Sequence, residues 1–504
     1  MKKYLSPIFA LLPFILCAQS SWDVYQLQQT ELRGTARYMA MAGAFTSLGG
    51  DLSTLEQNPG GVGVYRSNDV GVTINLDFLN SNADGYTTNR TKFHCNNFGY
   101  VGAFKLDGSV MRNVNIGITY NRQNFNRHYK GRVDGIGYSL SNYIAGETNG
   151  SFWLPTLADK LHINYLDPTS SAKEPHMLGL YGAGTTGYGE FEVLEQGGVN
   201  TGNFTLGGNV KDLVYWGVSF TVNSLHYDTY RYYGDALNDA YINEKDKRGD
   251  ASYGFEHSRE TNGTGWNFKA GVIITPVNFL RLGFAIHTPT FYKLTDDYSH
   301  VAAAKIGENP EEKVGSEISS VAYRLNTPLR FMAGVGVVIT KYCIISADYE
   351  YQATNKMTIR DPSGDSRTWS DFNSDISTYF QPTHIWRIGG EVRPIPELSV
   401  RLGYQQQGSA VKQSIRNDIL PGTDGSIYTD MDHTASYTVD NGVKYFCAGL
   451  GYRTRNIYVD LAFVHRRISS TYHGFSATPA SPFSPSCPVT STDNNIALTV
   501  GARF

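Results

Sequence analysis

After its N-terminal segment the chain has no apolar run of the ~20 residues that a membrane-spanning helix needs. Its formal net charge of −3 over 504 residues provides no basic footprint for a nucleic acid. Charged residues make up only 18% of the chain, which is low for a soluble protein. The composition therefore disfavours helical membrane proteins, nucleic-acid-binding proteins and ordinary soluble proteins.

Cysteine is scarce, with five residues in the whole chain. Four follow the N-terminal segment: Cys95, Cys343, Cys447 and Cys487. None is spaced as Cys-x-x-Cys, so the sequence has no zinc or dithiol redox motif. Whether these cysteines form one or two disulfides in an oxidising compartment stays open at this point.

The N-terminus has the layout of a secretory signal peptide. Two lysines precede an apolar run over Tyr4–Leu16, and small residues follow at Cys17 and Ala18. The run is too short to cross a bilayer as a helix. We therefore expect residues 1–18 to be a signal peptide that directs the chain across the inner membrane.

Many segments of the chain alternate between apolar and polar residues. In 70–78 and 496–504 every second residue is apolar, while the intervening residues are small, polar or charged. Period-two alternation places the two sets on opposite faces of a β-sheet. About fourteen segments follow this pattern, and their length of ~9–11 residues is that of a tilted membrane strand.

Charged residues recur on the face opposite the apolar one. They are Asp77, Arg281, Asp348, Glu350, Arg387, Glu391, Arg401, Asp460 and Arg503. The dry core of a soluble sandwich does not hold so many unpaired charges, whereas a wet lumen does. A sheet in lipid must also close so that every backbone group is paired. We predict an all-β fold: a transmembrane antiparallel β-barrel of about 14 strands over residues 68–504.

The connections between these segments come in two lengths. Short ones such as 275–278 and 394–397 alternate with long polar ones such as 126–186 and 229–262. We expect the short turns at the periplasmic end and the long connections at the cell exterior. The terminal Phe504 resembles the C-terminal signal that outer-membrane barrels present to their assembly machinery. The predicted location is the outer membrane of a Gram-negative bacterium.

Residues 19–67 do not share this alternation. The stretch 34–67 is apolar and rich in glycine, and would make a poor exposed surface. We therefore expect 19–67 to form a hatch, or plug, inside the barrel; the alternative is a loosely packed N-terminal arm. A short helix is predicted over 51–57, with a capping box at Ser53–Glu56. It ends at Asn58, because a residue before proline avoids the helical conformation.

The predicted hatch carries an ordered set of motifs. They comprise Arg37, Met39, Met41, Gly43, Ala44, Phe45, Gly50, Asp51, Asn58, Pro59, Gly60, Gly61 and Val62. This set resembles the hatch of the FadL/TodX outer-membrane transporters, in the Bacteroidetes-type branch often labelled hemin receptors. The resemblance covers about forty residues, and Gly60 departs from the alanine common in the family.

The resemblance implies a fourteen-stranded barrel with its hatch in the lumen. Members of that family take up long-chain fatty acids or small aromatic and other apolar compounds. A movement of the hatch and a lateral opening in the wall release the ligand. The gate residues implied here are Phe45, Asn58, Pro59, Gly60 and Gly61.

Candidate ligand-binding residues also lie in the first long connection. The helical spacing of Ile136 and Leu140, and of Trp153, Leu157 and Leu161, predicts two short amphipathic helices. The two helices form either an apolar groove for an acyl chain or a lid in which they pack on each other.

In the predicted lumen, Arg281 and Arg401 are candidates to bind a ligand carboxylate, as are Arg387 and Arg393. The alternative, which we favour, is that these arginines pair with the inward carboxylates and rigidify the interior. The carboxylates in question are Asp348, Glu350, Glu391 and Asp460.

Signatures of catalysis and of haem binding do not occur in the sequence. There is no Gly-x-Ser-x-Gly and no His-x-x-His, and the twelve histidines are isolated. We therefore expect a non-enzyme without cofactor or metal. The predicted function is passive uptake of hydrophobic small molecules, foremost long-chain fatty acids, by a monomer gated by its plug. A general porin, or a surface adhesion or structural barrel, is the alternative; haem binding is less favoured.

Overall fold

A computed structural model describes residues 21–108, 110–146, 154–166, 177–242, 247–340, 342–416, 435–475 and 484–504. Its strands form one antiparallel sheet that closes into a barrel, because the last strand pairs with the first over Asp69–Ala83. Counting interrupted strands once, the barrel has fourteen, as predicted. Trp153 and residues 1–18, the predicted signal peptide, lie outside the described residues.

The barrel strands are β1 (Asp69–Ala83), β2 (Tyr86–Lys105), β3 (Met111–Asp134), β4 (Thr186–Val210), β5 (Val214–Tyr241), β6 (Arg248–Val277), β7 (Leu280–His287 and Phe291–Ile306), β8 (Ser319–Asn326 and Arg330–Thr340), β9 (Cys343–Gln352 and Thr358–Arg360), β10 (Thr383–Ile395), β11 (Leu398–Gln407), β12 (Tyr437–Arg453), β13 (Ile457–His473) and β14 (Ser486–Arg503). Short pairs at Asn164–Leu166 with Met177–Gly179, and Glu312–Gly315 beside β7, complete the strands described.

The outer wall carries a continuous band of exposed apolar side chains. Phe98 is 48% exposed, Phe204 56% and Leu402 66%. A band of exposed apolar side chains around a barrel is unfavourable in water but favourable against lipid acyl chains. The barrel is thus built to span a membrane.

Several strands are much longer than predicted. β5 has 28 residues and β6 has 30, and they pair as far as Tyr241 and Arg248. The prediction of a long polar connection over 229–262 was therefore wrong. Above the lipid the outward residues of these strands become polar, and the apolar residues, such as Tyr233 and Phe255, lie on the inner face in a buried cluster. The apolar alternation therefore changes face along the strand while the hydrogen-bonded ladder continues.

Seven short helices accompany the barrel in the described part of the chain. They are α1 (Ser21–Leu27), α2 (Ala36–Ala40), α3 (Thr54–Gln57), α4 (Leu140–Gly146), α5 (Leu154–Lys160), α6 (Ser370–Tyr379) and α7 (Gln413–Arg416). None of these described helices is long and apolar enough to cross a bilayer. The thiols of Cys95, Cys343, Cys447 and Cys487 are all free.

Candidate transport site: hatch and lumen

The N-terminal segment, described over residues 21–67 and called the hatch below, lies inside the barrel. Helix α2 packs on inward side chains of β12, β13 and β14, among them Val443, Ala462 and Ala497. The Thr35 hydroxyl accepts a hydrogen bond from the Tyr38 amide at 3.2 Å and so caps α2. The Ala36 amide donates to the Thr499 hydroxyl on β14 at 2.7 Å. The hatch is therefore fixed to the wall by apolar packing and by hydrogen bonds.

Glycines on the inner wall make room for the hatch. A Cβ atom added to Gly403 would lie 2.5 Å from the Ala42 amide nitrogen, and one added to Gly389 would lie 2.5 Å from the Met41 carbonyl oxygen. Any larger side chain at these positions would push the hatch away from the wall. We call these wall glycines the glycine belt: Gly71, Gly99, Gly117, Gly207, Gly217, Gly271, Gly283, Gly334, Gly336, Gly389, Gly403 and Gly449.

The predicted gate segment is tightly held. Asn58 is fully buried; its side-chain oxygen accepts from the Gly60 amide at 2.9 Å, and its side-chain nitrogen donates to the Thr46 carbonyl at 2.6 Å. Pro59, Gly60 and Gly61 begin a 3-10 helix that continues to Val64. Asn58 itself is extended, with φ −134° and ψ 101°, so α3 ends where the proline predicts.

The predicted capping box at Ser53–Glu56 is wrong. The Ser53 side chain makes no capping hydrogen bond to α3. Its hydroxyl instead accepts from the Thr35 amide at 2.6 Å, and the Asp51 carboxylate accepts from the Ser53 amide at 2.9 Å. Burial raises the pKa of Asp51, against the pull of Arg37. The Ser53 hydroxyl oxygen therefore accepts a tertiary hydrogen bond from Thr35 instead of capping α3.

Phe45 and its neighbours anchor the middle of the hatch. The Phe45 ring is fully buried, with its centroid 5.5 Å from that of Tyr38 and 5.2 Å from the Arg37 guanidinium carbon. The next amide, of Thr46, donates to the Asp348 carboxylate on β9 at 2.7 Å. This loop is thus bound to the wall through a buried charge.

The luminal arginines are engaged with the protein's own acceptors. Arg401 lies 2.7 Å from the Glu391 carboxylate and 2.5 Å from that of Asp460. Arg387 pairs with Glu350 at 2.6 Å, and Arg281 donates to the Leu48 carbonyl at 2.9 Å. Arg393 pairs with Glu391 at 2.7 Å. Arg387, Arg393 and Arg401 thus pair with inward carboxylates, as in the favoured alternative, whereas Arg281 binds a backbone carbonyl of the hatch.

The same network includes the hatch. Arg37 lies 3.0 Å from Glu391, and Arg33 lies 2.9 Å from Asp77 and 2.8 Å from Glu31. The expectation of a wet lumen with unpaired charges was therefore wrong at this level, because the inward charges pair with one another and with the hatch.

Cavities occur on both sides of the hatch. One of about 360 Å³ opens at the short-turn end and is lined by Arg37, Leu48 and Asp51 of the hatch together with Arg281 and Arg503 of the wall. A smaller one of about 90 Å³ lies on the other side, where Arg33, Tyr38 and Gln57 contribute to its lining. Hatch residues line both cavities, so the hatch lies between them.

The upper lumen holds an apolar chamber that the sequence reasoning missed. Helix α1 fills it: Trp22, Val24, Tyr25 and Leu27 are at most 5% exposed. The Trp22 ring centroid lies 5.4 Å from Phe380 and 5.1 Å from Tyr437, and its buried indole N–H has no hydrogen-bond partner among the described residues. Trp369 and the helix α6 that follows it, through Phe372, Ile376 and Tyr379, cover the same chamber. Side chains of the β-strands, such as Phe125, Tyr292 and Tyr323, line it. The helical spacing of the α6 residues was the available signal.

The predicted mouth residues form the core of a lid. Ile136, Leu140, Leu157 and Leu161 are at most 4% exposed and pack in one cluster with strand residues such as Phe191. The two predicted helices exist as α4 and α5, although Ile136 precedes the first of them. The Leu140 amide donates to Asp235 on β5 at 2.7 Å, which attaches the lid to the wall. The arrangement matches the lid alternative, and ligand binding at these residues stays a prediction.

A closed fourteen-stranded barrel around an N-terminal hatch defines a class of membrane protein, the FadL-type fold. Two solved structures have this fold in common with the chain. A Pseudomonas aeruginosa FadL homologue aligns with a TM-score of 0.53 at 11% identity, covering 94% of this chain and 98% of that one. The Pseudomonas putida toluene transporter TodX aligns with a TM-score of 0.50 at 11% identity, covering 94% and 99%. No protein-family model and no curated protein matches the sequence.

Proposed function

We propose that this protein is an outer-membrane channel for passive uptake of hydrophobic small molecules, foremost long-chain fatty acids. The N-terminal hatch is its gate, and residues 1–18 direct the chain across the inner membrane. The observation that carries the proposal is the hatch itself, which packs across the lumen: its helix α1 fills the apolar chamber, and its Arg37, Leu48 and Asp51 line the cavity at the short-turn end. A barrel that admits hydrophilic solutes freely needs no such seal.

The apolar chamber supports a hydrophobic ligand. Its buried lining includes the aromatic side chains of Phe125, Tyr227, Tyr292, Tyr323 and Trp369. Apolar surface of this kind binds an acyl or aromatic group by excluding water, at roughly 25 cal/mol per Å² buried. Helix α1 occupies this volume, so ligand entry requires α1 to move or to share the chamber.

A second function, that of a general porin, is favoured by a different observation. Below the chamber the inward side chains are polar: Asn223, Asn267, Lys269, His287 and Gln352 line a cavity of about 90 Å³. A polar layer of this kind suits a hydrated solute better than an acyl chain. The two functions predict opposite results for sugars and fatty acids.

The test is uptake by the purified full chain in liposomes, with oleate and with a neutral disaccharide as solutes. We expect uptake of oleate without liposome swelling in the sugar. Deleting 21–65 should raise ion conductance in planar bilayers strongly, because the hatch no longer fills the lumen. A deleted barrel that keeps its heat-modifiable migration but conducts like the full chain would exclude a plug. Sugar flux through the intact chain would favour the porin.

A further inference from the structure

The outer wall carries an aromatic row at the edge of its apolar band. The aromatic row consists of Trp266 on β6 and Phe291 on β7, which face each other in the register of the sheet, and the aliphatic Val222 on β5 faces Trp266 from the other side. The three side chains are 44%, 44% and 36% exposed, and the Trp266 and Phe291 ring centroids are 4.8 Å apart. Aromatic side chains in this position mark the boundary between acyl chains and headgroups.

A cationic row lies two residues further towards the long-loop end, on the same outer face. Lys293 on β7 faces Arg324 on β8, and Arg324 faces Arg360 on β9. Among the ion pairs of the described residues, none involves these three side chains. Like charges directly opposite each other destabilise a sheet. The cationic row therefore lacks a counter-charge in the described protein.

The two rows line one groove on the outside of the barrel. Its volume is about 600 Å³, and Phe220, Trp266 and Phe291 lie at its apolar end while Lys293, Arg324 and Arg360 lie at the other. The groove lies beside paired interruptions of β7 and β8, at residues 288–290 and 327–329. Tyr292 contributes to the lining of the groove, and its buried side chain belongs to the luminal apolar chamber, so it lies between the two.

We propose that this groove binds one phosphorylated glycolipid of the lipid A class from the surrounding outer leaflet. Its acyl chain packs on the aromatic row, and its phosphate contacts the cationic row. The cations belong to adjacent strands ~4.8 Å apart, so the row is roughly 10 Å long and suits a phosphate dianion with several oxygens. Guanidinium groups bind phosphate oxygens in pairs, and basic pockets at a membrane surface select anionic headgroups.

The direction of the strands indicates that the bound lipid comes from the outer leaflet of the membrane. The cationic row lies towards the long connections, which face the cell exterior in outer-membrane barrels. The proposal rests on the outer-membrane location proposed above but on no choice of transported compound. Uptake assays and lipid-binding assays can therefore fail independently.

The test is native mass spectrometry of the full chain, purified in mild detergent and incubated with bisphosphorylated lipid A. We expect one bound lipid, and a fall in occupancy of about tenfold or more in the triple variant Lys293→Gln, Arg324→Gln, Arg360→Gln. A matched triple variant removes three exposed cations elsewhere on the surface: Lys105→Gln, Lys130→Gln and Lys313→Gln. It should retain the lipid.

Two further measurements test the apolar contact and the phosphate contact separately. Trp266→Ala, with the cationic row intact, should weaken binding of the same lipid, and heat-modifiable migration reports whether each variant is folded. Removing the phosphates from lipid A should reduce occupancy as much as the cationic triple variant does. The proposal is overturned if the triple variant keeps the lipid, if the matched triple loses it equally, or if phosphatidylglycerol or oleate binds as well.

Discussion

At the scale of single residues, the hatch fits against the wall because many of the wall residues that it contacts are glycines, which have no side chain. Gly389 and Gly390 on β10 illustrate this. A Cβ on Gly389 would lie 2.5 Å from the Met41 carbonyl oxygen and 2.9 Å from the Met41 Cβ, whereas a Cβ on Gly390 would meet its nearest neighbour at 3.7 Å. Two adjacent glycines thus differ in whether they touch the hatch.

The pair provides a matched test of hatch packing. Gly389→Ala should displace the hatch at a cost of ~1–3 kcal/mol, the usual range for overpacking, while Gly390→Ala should change little. A cost of this size raises the open probability in single-channel recordings by about tenfold. Equal behaviour of the two variants would show that the wall does not hold the hatch closed.

At the scale of elements, α6 is a surface helix that docks through an apolar face and carries a half-buried acid, Asp375. Asp375 lies on the same face as Asp371, one turn earlier, and its helix buries Phe372, Ile376 and Tyr379 against the apolar chamber. Burial raises the pKa of Asp375 to about 6, and the negative charge of Asp371 adds to the shift. The carboxyl of Asp375 in the docked helix therefore keeps its proton to a higher pH than a solvated aspartic acid does.

The sign of the pH dependence follows from linkage. Because the docked state binds the proton more tightly, docking of α6 is strongest below about pH 4 and weakens as the pH rises to about 6. Hydrogen exchange, corrected for intrinsic rates, should show greater protection of 370–379 at pH 4 than at pH 7. Asp375→Asn should abolish the difference, and Asp371→Asn should only reduce it. A pH dependence that persists in Asp375→Asn would assign it to another group.

At the scale of the whole molecule, the barrel is a rigid wall around a segment that is attached at every level. Arg33 and Arg37 bind wall carboxylates, Asn58 binds a hatch carbonyl, and the glycine belt surrounds the chain between them. Transport through the lumen requires this segment to move, and that requirement can be tested by a covalent lock.

A disulfide between Leu52→Cys and Gly99→Cys is suited to the purpose. A Cβ on Gly99 would lie 3.3 Å from the Leu52 Cβ, close to the 3.5–4.5 Å of a disulfide. In a Cys95→Ser background, which removes the exposed native thiol, oxidation should abolish oleate uptake and reduction should restore it. Full uptake by the oxidised protein would mean that the hatch need not leave β2.

Much of the architecture was predictable because its signals are local. Alternation every second residue indicated the strands, and apolar composition without alternation indicated the hatch. The hairpin between β1 and β2 was readable too, since Asp84 and Gly85 have the positive φ of 46° and 88° that an Asp-Gly turn favours. The strands above the lipid were missed because their apolar residues move there from the outer face to the inner face, which interrupts the alternation that marks a lipid-facing strand.

The sequence by itself determined the class of fold, the count of strands and the side of each strand that carries charge, because these follow from the order of residues along one segment. The tertiary structure alone decided what each charge binds. It paired Arg401 with Glu391 and Asp460, placed Trp22 in the chamber under α6, and aligned Lys293, Arg324 and Arg360 in one row. Such contacts depend on the register between distant strands, and the alternation within a single strand carries no information about that register.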